Sequence, residues 1–314
     1  MADPATVPLA FIGCDVGKAE IVVFDSRDKR IRSIPNRAEN LAAFAQTLDV
    51  DCFVVCEATG GHEQALLAAM VAAGIPCHRA DARKVKAFIR SYGTLGKTDA
   101  IDATALHRYG EERHSSLIRW RTRDTWRDTH QTLILARQDL VATRVAYANR
   151  LGAPSDAAVR PFFEALLASL EGQIAAIEAA IRTLVDDNAP LKQAVTLLTG
   201  VVGIGFKTAS SLFALMPELG GLTGAQAGAL GGLAPHPNQS GAREGYRRTK
   251  GGRPEVRKVL FMAAMSAARH HKTLRPFYER LIAKGKKKLV ALVAVMRKLL
   301  VICNAVLRDG AVAA

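Results

Sequence analysis

The 314-residue chain is bounded first by what it lacks. Its five cysteines (Cys14, Cys52, Cys56, Cys77 and Cys303) are odd in number and include no Cys-x-x-Cys. That argues against a disulfide frame or zinc ribbon and for reduced thiols. No apolar run of about 20 residues stands out, so no membrane span is expected. Met-Ala-Asp-Pro-Ala-Thr-Val-Pro has neither the basic start nor the apolar stretch of a secretory signal, and a cytoplasmic chain is expected. Acidic residues are scarce in one part only. From residue 196 onward, 19 Lys and Arg face 5 Asp and Glu, whereas residues 1–195 carry 24 of each. The whole net charge of +14 therefore lies in the last part, which points to a polyanionic partner there. A basic surface kept only for solubility accounts less well for such asymmetry. The length leaves room for two domains and a sizeable core.

Leu9–Lys18 reads as a buried strand that ends in Asp15 and turns at Gly17. Glu20–Asp25 follows as its hairpin partner, and a third short strand is expected near Arg30–Ile34. Asn36 or Asn40 is placed to cap a helix over about 40–48. Cys52–Cys56 is a central apolar strand that delivers Glu57, and Thr59-Gly60-Gly61 opens a helix over His62–Ala73. A strand over 74–79 and a helix over 81–90 come next. This alternation predicts an α/β sheet, in which ligand groups gather at strand ends. In the stretch 94–103, Gly96 ends a turn and Thr98 caps a helix whose first turn carries Asp99 and Asp102 on one face. An isolated Asp-x-x-Asp commonly does no more than complement a helix dipole. Asp15 and Glu57 at strand ends change that: four carboxylates at element ends suit a pair of divalent cations used for phosphodiester attack.

After about residue 112 the pattern becomes helical. Residues 124–150 form a long helix carrying Arg127, Arg137, Arg144 and Arg150, and Gly152–Ser155 breaks it. Phe163, Leu167, Leu170, Ile174, Ile177, Ile181 and Leu184 then alternate spacings of four and three. That spacing fits both a coiled-coil seam and a hairpin packing 158–187 back on 124–150, and the sequence leaves both open. Gly203-Ile204-Gly205 between two helical stretches reads as a helix-hairpin-helix. Its glycines would let the backbone approach a phosphate beside Lys207, the plainer alternative being a tight helix–helix turn. Residues 231–253 read as a loop or short hairpin bearing Arg243, Arg247, Arg248 and Lys250. Pro254 opens a helix, and Lys284–Lys288 precede an apolar helix over Leu289–Leu307.

Three blocks, Gly13–Lys18, Cys56–Gly60 and Lys97–Ala103, resemble in order and spacing the DEDD motifs of insertion-sequence transposases of the IS110 type. The pilin-inversion recombinases belong to the same group. The resemblance implies an N-terminal domain of RuvC-like, ribonuclease-H-type fold, with Asp15, Glu57, Asp99 and Asp102 as a tetrad for Mg²⁺ or Mn²⁺. The block around Ser240-Gly241 looks like the family's C-terminal transposase domain, where a serine beside a glycine is the proposed nucleophile. On that resemblance Ser240 is the nucleophile; from the loop alone, a serine bonding its own turn is the commoner role. The implied division is a RuvC-like domain over 1–120, a helical or coiled-coil spacer over 121–189, and a mainly α, basic transposase domain over 190–314. The implied function is DNA transposition by phosphodiester transfer, by a homo-oligomer (dimer or tetramer) that in the family works with a structured non-coding guide RNA. Two other readings stand beside it: a metal-dependent nuclease of the Holliday-junction type, and a non-catalytic nucleic-acid-binding protein.

Overall fold

A computed structural model describes residues 8–93, 98–122, 124–153, 157–240 and 243–312. The chain divides into two units, Met1–Arg123 and Asp124–Ala314, and each builds its own core.

In the first unit, β1 (Ala10–Val16), β2 (Glu20–Asp25) and β3 (Arg30–Pro35) form an antiparallel meander. The strands β4 (Cys52–Glu57) and β5 (Cys77–Ala80) add in parallel on the other side of β1, giving the order β3-β2-β1-β4-β5. The near-continuous apolar runs of β1 and β4 follow from their place at the centre of the sheet, covered on both faces. Period-two alternation sorts their side chains. Ile12, Cys14, Val54 and Cys56 join Leu41 and Phe44 of α1 (Ala38–Gln46) and Leu66, Leu67 and Met70 of α2 (Gln64–Ala72). On the opposite face Phe11, Phe53 and Val55 meet Val85 and Phe88 of α3 (Ala82–Ser91) and Leu106 and Tyr109 of α4 (Asp99–Arg113). This mixed five-stranded sheet with helices on both faces is compatible with a ribonuclease-H-type fold.

Two helix starts differ from the expectation. The residue before α1 is Arg37, with no side-chain cap, so neither Asn36 nor Asn40 caps it. The helix α2 begins at Gln64 rather than His62, because Gly60 and Gly61 take positive φ (72° and 109°) and extend the turn.

Among the described residues, the second unit is helical apart from one β-ribbon. It comprises α5 (Thr125–Gly152), α6 (Arg160–Asp187), α7 (Ala189–Thr199), α8 (Phe206–Leu215), α9 (Gly224–Leu230), β6 (Pro235–Ser240), β7 (Arg243–Thr249), α10 (Pro254–His270), α11 (Leu274–Ala283) and α12 (Lys288–Val312). Of the two arrangements the heptads allowed, the hairpin forms within the chain. Tyr147 meets Phe163 edge-on at 5.6 Å near its tip, and Arg137 Nε donates to Glu178 Oε1 at 2.8 Å nearer its base. Ile134, Ile181 and Val185 of this hairpin belong to the same core as α7 to α12. By packing, α5 and α6, which make up most of the stretch drawn as a spacer over 121–189, are therefore continuous with the helices after them.

The expectation that no apolar stretch is long enough to span a membrane is corrected by α12. By length and composition alone, Lys288–Gly310 would suffice. In this fold it supplies core: Ala291, Val295, Leu299, Leu300 and Cys303 are fully enclosed among the other helices.

Where α5 meets α8, His130 Nε2 lies 2.7 Å from Ser210 Oγ, and both residues are buried. Burial pushes the imidazole down to about 4. In the unfolded chain it takes up a proton near 6.5, so unfolding binds a proton between those values. Stability should therefore fall as pH drops from about 6.5 towards 4. Thermal melts across that window should show a shallower decline for His130→Gln than for the parent chain.

Candidate active site and nucleic-acid interface

The geometry of the acidic set begins at a residue without a side chain. A Cβ on Gly13 would overlap the Ala103 carbonyl oxygen and the His107 amide of α4. Gly13 thus admits the backbone of α4 directly onto β1. Farther along α4, a Cβ on Gly110 would lie 2.8 Å from Val55 Cγ2 of β4 and 3.3 Å from Phe11 Cδ1 of β1. As its numbering rises from 103 to 110, α4 moves from Gly13 back to Phe11, so it runs antiparallel to β1. Its first turn, with Asp99 and Asp102, therefore points to the C-terminal ends of β1 and β4. Asp15 and Glu57 follow Cys14 and Cys56, which pair in parallel register. By alternation Asp15 shares the face of Gly13, and Glu57 that of Val55. All four carboxylates thus belong to one end of one face. Thr98 caps the helix as expected, its Oγ1 accepting from Ile101 N at 3.2 Å. Lys97, quoted in the same motif, lies outside the described residues.

Asp15, Glu57 and Asp102 are half-buried and Asp99 is exposed. A donor set made only of carboxylate oxygens suits a hard divalent cation. Among the described residues, no three His, Cys, Asp or Glu side chains are close enough to form a ready-made metal cluster.

Beside this set lies a network that composition did not signal. Glu63 is fully enclosed, and its Oε2 accepts from Thr59 N, Thr59 Oγ1 and Gly61 N at 3.1, 3.2 and 2.9 Å. Its Oε1 accepts from Arg79 Nε at 2.6 Å. Burial alone would raise this carboxyl, but these donors hold it below its ordinary value. Asn36, read as a helix cap, instead donates from Nδ2 to Gly17 O at 2.9 Å and His62 O at 3.1 Å. A Thr-Gly-Gly turn with an acid four residues after its threonine was the available signal for Glu63.

In the second unit, Gly203 and Gly205 occupy the turn between α7 and α8, and they differ. Gly203 has φ 99°, and a Cβ there would lie 2.8 Å from Ala263 O and 2.9 Å from Ala267 Cβ. Its bareness therefore serves close packing against α10. Gly205, at the start of α8, has no such neighbour and stays open. Lys207 Nζ pairs with Glu178 Oε1 at 2.7 Å, the same oxygen that holds Arg137, and its side chain remains 58% exposed. Ser240 ends β6 and pairs with Arg243 at the start of β7. Gly241 lies outside the described residues. Arg247, Arg248 and Lys250 are exposed along and just beyond β7.

Comparison with known proteins bears on both units. A family model of IS110-type DEDD enzymes, described as "Transposase", matches residues 12–154. A second, described as "Transposase IS116/IS110/IS902 family", matches residues 195–279. The chain belongs to the IS110 family of transposases. Pilin gene-inverting proteins of Moraxella lacunata and Moraxella bovis are each 28% identical over 230 residues, covering 72% of this chain and 70% of theirs. An uncharacterized 43.6 kDa protein of insertion element IS110 from Streptomyces coelicolor is 29% identical over 154 residues, or 48% of this transposase and 37% of that protein. Transposases cut and rejoin DNA, so the chain is an enzyme with DNA as its partner.

The seating of α4 on Gly13 can be tested directly. Gly13→Ala should destabilise the first unit by about 1–3 kcal/mol, as overpacking does. Urea unfolding of residues 1–123 would measure it, with Gly172→Ala in the full chain as a control, since a Cβ at Gly172 meets nothing.

Proposed function

We propose that this IS110-family transposase moves a DNA segment by strand transfer, with Asp15, Glu57, Asp99 and Asp102 as its DEDD set and Ser240 as nucleophile. The observation that carries the reading is the seating of α4 on Gly13, which directs Asp99 and Asp102 to the strand ends that bear Asp15 and Glu57. The names of the Moraxella relatives support a segment-inverting or segment-moving reaction over simple hydrolysis. That favours the recombinase over a junction nuclease and over a non-catalytic binding protein.

The four carboxylates would hold Mg²⁺ or Mn²⁺. When bound, such a cation neutralises charge on a phosphodiester and on the oxygen that leaves it. Ser240 Oγ would form a new ester bond to phosphorus as the P–O bond to one strand breaks, releasing a strand end as its hydroxyl and leaving the protein joined to DNA. Exposed Arg247, Arg248 and Lys250 would hold neighbouring phosphates, with Arg243 closest in the chain to the serine. Gly205 and Lys207, in a turn of helix-hairpin-helix type, would add sequence-independent backbone contact. In this reading, 1–120 is a RuvC-like domain and 190–314 the DNA-binding transposase part, with 121–189 contributing helices that share the latter's core, and the protein works as a homo-oligomer with a structured guide RNA.

Ser240→Ala should bind DNA as the parent chain does yet form no denaturant-resistant protein–DNA adduct and no recombinant product. Peptide mapping of the parent adduct should find DNA on Ser240; an adduct on Tyr246 would overturn the assignment. Asp15→Asn and Glu57→Gln should abolish strand transfer while preserving the fold seen by circular dichroism.

Charge placement makes a second prediction. Residues 124–314, expressed alone, should bind duplex DNA with affinity that falls steeply as salt rises, because each phosphate contact releases counterions. Residues 1–123 should bind far more weakly at the same salt, as fluorescence anisotropy would show.

A further inference from the structure

We propose that Asn36 and Glu63, neither of them in the acidic set, are positioning residues that fix the strand ends bearing Asp15 and Glu57 relative to one another. The inference rests on the DEDD reading above. Two turns leave those strand ends. The turn after Asp15 reaches Gly17, and its carbonyl accepts from Asn36 Nδ2 at 2.9 Å. The turn after Glu57 passes through Thr59, Gly60 and Gly61 to His62, and the His62 carbonyl accepts from the same Asn36 nitrogen at 3.1 Å. One amide group therefore ties the exit of β1 to the exit of β4.

Asn36 is itself anchored, its own N–H donating to Ala19 O at 2.8 Å. Glu63 sets the shape of the second turn from inside, its Oε2 taking donors from Thr59 and Gly61. Its other oxygen is held by Arg79 Nε and Nη2, each at 2.6 Å. Arg79 stands beside Cys56 in the β4–β5 register, one residue before Glu57. The chain of contacts thus runs from Asp15 through Gly17, Asn36 and His62 to Glu63, and from there to both sides of Glu57.

The orientation of the amide is set by these two bonds. Placing one N–H₂ between the Gly17 and His62 carbonyls turns Asn36 Oδ1 away from both, and Oδ1 is buried with no hydrogen-bond partner among the described residues.

The test uses the full chain and reads Mn²⁺ affinity by calorimetry, alongside thermal melting and duplex-DNA affinity. Asn36→Asp keeps the size but loses the donor, and Asn36→Ala loses both. Each should melt cooperatively and bind DNA as the parent does, yet bind Mn²⁺ about tenfold or more weakly, as supporting residues around metal ligands do. Strand transfer by these variants should recover as Mn²⁺ is raised, so that the metal requirement rises while the maximal rate is kept. Glu63→Gln, which keeps the acceptor for Thr59 and Gly61 but loses the charge opposite Arg79, should weaken Mn²⁺ binding in the same direction and serves if an Asn36 variant fails to fold. Unchanged Mn²⁺ affinity in the folded variants, with only melting lowered, would overturn the proposal. Asp15→Asn separates the two layers. If it weakens Mn²⁺ binding and the Asn36 and Glu63 variants do not, positioning alone is refuted; if it too leaves binding unchanged, the DEDD reading fails.

Discussion

The contact on which the first unit depends is the backbone-to-backbone seating of α4 on Gly13. A helix laid over a sheet ordinarily stands off by a layer of side chains. Here the missing Cβ lets Ala103 and His107 come down onto β1. His107 then adds a bond from its ring, Nδ1 lying 3.0 Å from Phe11 O. The helix is located along its length by Gly13 near one end and by Gly110 against Val55 and Phe11 near the other. Two points fix a line. The acidic first turn is thereby aimed by packing at its middle and end, and the acids themselves need no mutual attraction, which like charges could not supply.

Much of this was legible in the sequence, and the parts that were not have physical reasons. The five strands and the helix after Thr98 announce themselves through apolar runs, turns and a cap, which are local signals. The faces follow from alternation. The role of Gly13 is not local: one glycine inside a strand looks the same whether it marks a bulge or receives a helix from far along the chain. Asn36 shows the converse failure. A polar residue just ahead of a helix is a cap by every local rule, yet its partners lie 19 and 26 residues away in sequence. Glu63 hides for a third reason, since acids at the start of helices are common and only burial distinguishes this one.

The second unit teaches a related lesson about heptads. Spacings of four and three say that one stripe of α6 will be covered, not by what. In this chain α5 covers it, and the lower part of the stripe continues into the core formed by α7 to α12. Arg137 of α5, Glu178 of α6 and Lys207 of α8 close the same junction from the polar side. The charge of Lys207, counted in the sequence as available to a polyanion, is thus shared with a carboxylate of its own unit.

That junction has a bearing on how such enzymes can be recombined from parts. A chimera that exchanges the last part between two relatives at residue 189 would cut through a single hydrophobic core, parting Ile134, Ile181 and Val185 from Leu198 and Leu212. A seam at Arg123–Asp124 leaves the core of each unit whole. The helical hairpin and the helices after it therefore have to be exchanged together if the core is to stay intact.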